Sequence, residues 1–186
     1  MKSRLLAISA ISAALVAISL TVGAYVDMAD IFSLVIASAF VLLPLYYDSF
    51  KACFLSFAAG GVIALIFSIP KFYSVVFPSY FLFFGVYPII ANLVKRNNFN
   101  LVLWRILGIV WCVAFFYGAY FYYTLVLGLS LGSFPAWLSW LADNVVWFIA
   151  GFAIAFYFIF DRFIFVVKCL IDRYLDKIVK KYIKTK

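Results

Sequence analysis

Long apolar runs separated by short polar clusters make up most of this chain. The first run carries no charged residue between Arg4 and Asp27. An α-helix rises about 1.5 Å per residue and a bilayer core is about 30 Å thick, so this run is long enough to cross a membrane. The whole pattern predicts six membrane-spanning helices, at residues 4–25, 31–47, 52–69, 72–94, 101–127 and 137–160.

Prolines lie near the end of the second predicted span and within the fourth. Pro78 and Pro88 are ten residues apart in the fourth span, and each removes a backbone donor from a helix. A kinked or broken fourth helix is therefore expected.

The charges between the apolar runs are distributed asymmetrically. With both termini in the cytoplasm, fourteen of the fifteen Lys and Arg residues fall on the cytoplasmic side, and Lys71 falls on the outer side with Asp27 and Asp30. Loops rich in Lys and Arg stay on the cytoplasmic side during membrane insertion. We therefore predict an all-α polytopic bundle in the cell membrane, with both termini cytoplasmic.

The end of the chain, residues 161–186, has a different pattern from residues 1–160, which form the predicted transmembrane domain. Apolar residues recur at helical spacing on one face of this tail, and Lys and Arg lie on the other. The tail is predicted to be a basic amphipathic helix. It either extends the sixth span into the cytoplasm or lies on the inner leaflet, where it would contact membrane lipid.

Composition supports a membrane protein and removes several classes of function. The chain is 69% hydrophobic with a mean hydropathy of +1.16, well above the roughly half-apolar composition of soluble domains. Its net charge of +8 is explained by membrane topology, so no nucleic-acid partner is expected. The absence of His and Glu and of phosphate-binding loops indicates no metal, no cofactor and no enzyme activity. An intramembrane enzyme that uses Asp or Ser stays open as an alternative.

Small residues form a stripe along the first predicted span. Ala7, Ala10, Ala14 and Ala17 are spaced so that they share one helix face. In lipid, helices associate where small side chains let their backbones approach closely. The stripe is therefore either a docking surface for a partner or an ordinary packing surface inside the bundle.

A cluster of polar and aromatic residues is predicted near the outer side. Asp143 lies within the sixth span, where a charge must face the bundle interior or a water-filled cavity. A solute site beside it would be aromatic and would favour a neutral or cationic ring-containing molecule, because no basic residue is available there. An aromatic belt at the membrane interface is the alternative. The candidate substrate-binding residues are Asp143, Asn144, Trp140, Trp147, Tyr80, Tyr117 and Tyr120.

The layout resembles the substrate-binding S component of the energy-coupling-factor vitamin transporters of bacteria. Ala10-xxx-Ala14 and Ala13-xxx-Ala17 match the AxxxA pattern with which the first helix of that family docks to a coupling subunit. The resemblance implies a coupling transmembrane subunit and ATPases as partners. It predicts a substrate-capture subunit of a small-molecule importer. The alternative from another class is a membrane scaffold or accessory subunit that binds no solute.

Overall fold

The computed structural model describes residues 2–26, 29–71, 74–97, 99–125 and 144–183, with the backbone alone for residue 2 and residues 176–183. Within these ranges, every regular element is helical. The helices are α1 (Lys2–Tyr25), α2 (Asp30–Val41), α3 (Phe50–Phe67), α4 (Val76–Ser79), α5 (Val86–Arg96), α6 (Leu101–Leu125) and α7 (Val145–Ile183).

Five described segments are long and apolar enough to cross a membrane. They are Ser3–Tyr25, Asp30–Tyr47, Phe50–Phe67, Val76–Arg96 and Leu101–Leu125. Each overlaps one of the first five predicted spans, and their ends differ from the predicted ones by at most four residues. Several apolar helices of this length indicate a membrane location and confirm the all-α class. The start of the sixth predicted span falls in residues 126–143, outside the described residues, and α7 contains its remainder.

The predicted interruption of the fourth span is confirmed. α4 is one turn long and is followed by a π-helical turn at Tyr80–Phe84, after which α5 resumes. Gly85 follows this turn, and its amide donates to the Tyr80 carbonyl at 2.8 Å, five residues back. The chain thereby keeps a backbone bond while it changes helical register between the two prolines.

The described chain forms two compact units. The first contains Met1–Asn97 with Arg162–Lys186, and the second contains Asn98–Asp161. α7 runs without a break through residues 160 and 161, where the sequence pattern had placed the boundary between span and tail. The described part of the tail, residues 161–183, therefore continues the helix of the predicted sixth span, and the predicted division into two domains there stays a prediction.

Close packing of α1 on α3 holds the first unit together. Gly60 lies where the two helices meet, and a Cβ added to it would lie 2.7 Å from Val16 Cγ1 and 3.0 Å from the Ala13 carbonyl oxygen. Val16 and Ala13 are buried at this crossing. A glycine on α3 therefore lets the two backbones approach closely, as small residues do in membrane bundles.

Hydroxyl groups connect the helices of the first unit. Each donates to a backbone carbonyl of a different helix or turn, so that its own hydrogen is paired away from water. These bonds run from Ser12 to Phe40 (2.7 Å), from Ser56 to Ser9 (3.0 Å), from Ser38 to Phe84 (2.6 Å) and from Tyr80 to Phe57 (3.2 Å).

Replacement of Ser38 by alanine is expected to lower the free energy of unfolding by about 0.6–1.7 kcal/mol. The Ser38 hydroxyl is buried and lies 2.6 Å from the Phe84 carbonyl of the π-helical turn and 2.8 Å from the Leu34 carbonyl. Ser19→Ala is the matched control, because the Ser19 hydroxyl bonds to Leu15 of its own helix. Denaturant unfolding of both variants in detergent checks the prediction, and an equal loss in the control would contradict it.

In the described part of the second unit, α6 and the first part of α7 pack against each other in opposite directions. Tyr117 of α6 donates its hydroxyl to the Val146 carbonyl at 2.6 Å, and the Cys112 thiol contacts the Ala153 carbonyl at 3.4 Å. Phe116 adds edge-to-face contacts with two rings of α7, Phe152 and Phe156, at centroid distances of 5.4 and 5.3 Å.

Candidate docking surface

An apolar groove of about 660 Å³ runs along α1 and α3 in the first unit. One wall is the small-residue face of α1, and the other comes from α3. Most of its lining side chains are alanine or branched aliphatic residues. They are Ala10, Ala13, Ala14, Ala17, Ile18, Thr21 and Val22 of α1 with Ala59, Ile63 and Phe67 of α3.

The tertiary structure divides the alanine stripe between two environments. Ala17, with its neighbour Ala13, is buried, whereas Ala10 and Ala14 remain exposed along the groove. Ala7 is exposed and is not among the lining residues. The stripe therefore serves partly for packing inside the chain and partly as an open surface.

The second wall was not anticipated as part of a docking site. Ala59 lies in the run Ala58-Ala59-Gly60-Gly61, which is visible in the sequence as a second patch of small residues. Because Gly60 faces Val16 of α1, Ala59 is brought to the rim of the same groove. The sequence signal existed, but the pairing of the two patches needed the helix crossing.

The groove is chemically uniform. Thr21 is the polar residue among those that line it, and its hydroxyl donates to the Ala17 carbonyl of its own helix at 2.8 Å. A polar solute placed there would lose its hydration without compensating hydrogen bonds. An apolar helix or an acyl chain meets no such penalty, so the groove is suited to an apolar occupant.

The candidate solute site is distributed over both units and the undescribed segment. Asp143 and Trp140 lie outside the described residues. Tyr80 belongs to the first unit, where it is completely buried. Its ring lies 5.1 Å from that of Phe57 in a tilted arrangement, and its hydroxyl donates to the Phe57 carbonyl. These contacts make Tyr80 part of the helix packing of the first unit.

The other four candidate residues belong to the second unit. Tyr117 uses its hydroxyl to bind α7, and Tyr120 is half-buried beside Phe121. Asn144 is exposed, and Trp147 is 78% exposed. Their assignment to a solute site stays a prediction.

Comparison with known proteins gives no relative: the chain matches no family model, no curated protein and no solved structure.

Proposed function

We propose that this protein is a membrane subunit that docks onto a transmembrane helix of a partner through the α1–α3 groove. The observation that carries the proposal is the exposure of Ala10 and Ala14 along an apolar groove with small residues on both walls. A partner helix gains close van der Waals contact across such side chains, and this contact drives helix association in lipid.

The specific function proposed is substrate capture for an energy-coupling-factor-like importer of the bacterial cell membrane. Both termini lie in the cytoplasm, the coupling subunit occupies the groove, and its ATPases work beneath it. The solute is a neutral or cationic ring-containing molecule bound near Asp143. The alanine-rich α1 and its open groove support this proposal, as does the position of Asp143 between two apolar segments.

A scaffold or accessory subunit that uses the same groove is the second candidate. Tyr80 favours it, because a side chain that is enclosed by protein and whose hydroxyl is already bonded has no surface to offer a solute. A scaffold needs the docking groove but no solute cavity. The two candidates therefore share the partner and differ in the ligand.

Native mass spectrometry of the gently extracted protein tests both candidates. We expect a complex with a polytopic partner subunit. Substrate capture further predicts ATPase subunits in the complex and a small molecule retained by this chain. A complex that contains the partner but no retained solute would favour the scaffold. Detection of this chain alone, after extraction in several mild detergents, would contradict the docking proposal.

A further inference from the structure

Four basic side chains gather at one end of the first unit, where α3 begins and α5 ends. Lys51 follows the first residue of α3, and Lys95 and Arg96 form the last turn of α5. Lys168 lies one turn after Phe165 of α7, the ring that the Lys95 ammonium contacts. We name Lys51, Lys95, Arg96 and Lys168 the basic rim.

Contacts with neighbouring helices hold two of these cations in place. The Arg96 guanidinium lies 5.4 Å from the centre of the Phe50 ring and donates to the Asp48 carbonyl at 3.3 Å. The Lys95 ammonium lies 5.1 Å from the centre of the Phe165 ring. These contacts bring together the start of α3, the end of α5 and the part of α7 around Phe165 at one edge of the unit.

The contacts that the described residues make with Lys95 and Arg96 are with aromatic rings and a main-chain carbonyl. Aromatic rings and a backbone carbonyl neutralise no charge, and Asp48 meets Arg96 through its main chain. Lys has three N–H donors and Arg has five, so most of the donors on these two residues stay available to an anion. Cations gathered in this way repel one another unless an anion binds among them.

Large apolar side chains are exposed on the membrane side of the rim. Phe54 and Leu55 lie about one turn along α3 from Lys51, and they are 61% and 64% exposed. A ligand with an anionic head and an apolar tail would meet cations at the rim and apolar surface beside it. A soluble anion would use the cations alone.

We propose that the basic rim binds the phosphate of an anionic phospholipid headgroup, with the acyl chains along the exposed apolar face of α3. In the proposed topology this lipid belongs to the cytoplasmic leaflet, where basic clusters beside spans attract anionic lipids. A zwitterionic lipid fits less well, because its ammonium group would be brought near the same four cations. The inference is independent of the docking groove and of any captured solute.

Lipid titration of the delipidated full chain in neutral detergent, followed by native mass spectrometry, tests this site. The probes are dioleoyl phosphatidylglycerol and dioleoyl phosphatidylcholine. We expect a preference for phosphatidylglycerol that falls about fivefold for each cation removed, since each is worth about 1 kcal/mol at a membrane surface. Lys95→Gln/Arg96→Gln should therefore bind it about 25-fold more weakly.

Lys71→Gln is the matched control, because Lys71 also lies over a ring, that of Tyr25 at 5.5 Å, but at the end of α3 away from the rim. It should bind phosphatidylglycerol like the wild type. Lys51→Gln/Lys168→Gln removes the other two cations of the rim. It should weaken phosphatidylglycerol binding to a similar extent, and it tests the site if Lys95→Gln/Arg96→Gln does not fold. Equal binding of both lipids by the wild type, or an equal loss in Lys71→Gln, would overturn the proposal.

Inorganic phosphate at millimolar concentration separates a lipid site from a site for a soluble anion. If the apolar chains contribute, it should not displace phosphatidylglycerol from the wild type. Complete displacement would assign the rim to a soluble phosphate and overturn the lipid proposal.

Discussion

Replacement of Ala10 and Ala14 together by tryptophan is expected to abolish partner association while the chain still inserts and folds. Both side chains are exposed along the groove, so the change adds bulk where the partner helix would lie. Two indole rings hold the helices apart, and the van der Waals contact that drives association is lost. Co-purification of the partner with a tagged variant measures the effect.

An exposed face of α2 supplies the control. Phe32 and Ile36 are 74% and 46% exposed and do not line the groove, and they have the same i, i+4 spacing as Ala10 and Ala14. Phe32→Trp/Ile36→Trp therefore adds two indole rings to the first unit away from the groove, and this variant should retain the partner. Loss of the partner in both variants would mean that indole rings on any exposed face disturb the complex, and retention in both would exclude the groove as the docking surface.

Replacement of Gly60 by alanine is expected to lower the free energy of unfolding by about 1–3 kcal/mol, the usual effect of overpacking a core. The new Cβ would lie 2.7 Å from Val16 Cγ1, 2.8 Å from Val16 Cβ and 3.0 Å from the Ala13 carbonyl oxygen. The last two atoms belong to or adjoin the backbone, so the clash is relieved only if α1 and α3 move apart. Denaturant unfolding in detergent measures the loss.

Gly118→Ala is the matched control for this experiment. Gly118 also lies within a helix, but a Cβ there meets no atom within 4 Å among the described neighbours. Its replacement should leave stability unchanged or raise it slightly, because alanine favours a helix more than glycine does. A destabilisation of the control as large as that of Gly60→Ala would show that glycine removal itself, and not the helix crossing, causes the effect.

The spans were predictable from hydropathy because a membrane-crossing helix needs about 20 apolar residues whatever surrounds it. The interruption of the fourth span was predictable from Pro78 and Pro88, which limit the local backbone. The π-helical turn itself was not, and it makes a contact that local sequence does not reveal, because the Ser38 hydroxyl of α2 donates to the Phe84 carbonyl.

Tyr80 shows why the candidate solute site was harder to predict. Inside a membrane, residues that face lipid and residues that face protein are both apolar or aromatic, so polarity alone does not separate the faces of a helix. The sequence pattern predicts that Tyr80 lies in the outer half of the fourth span, within an aromatic cluster. Its contacts with Phe57 then placed it in the packing of the first unit.

The sequence by itself determined an all-helical membrane chain, the approximate positions of its first five long apolar helices and the small-residue stripe of α1, because these follow from local composition and helical period. The tertiary structure alone decided which alanines stay open. Gly60 lets α3 cross α1 closely at Ala13 and Val16, and this crossing leaves Ala10 and Ala14 beside Ala59 in one groove. Contacts between residues more than 40 positions apart cannot be read from the spacing within one helix.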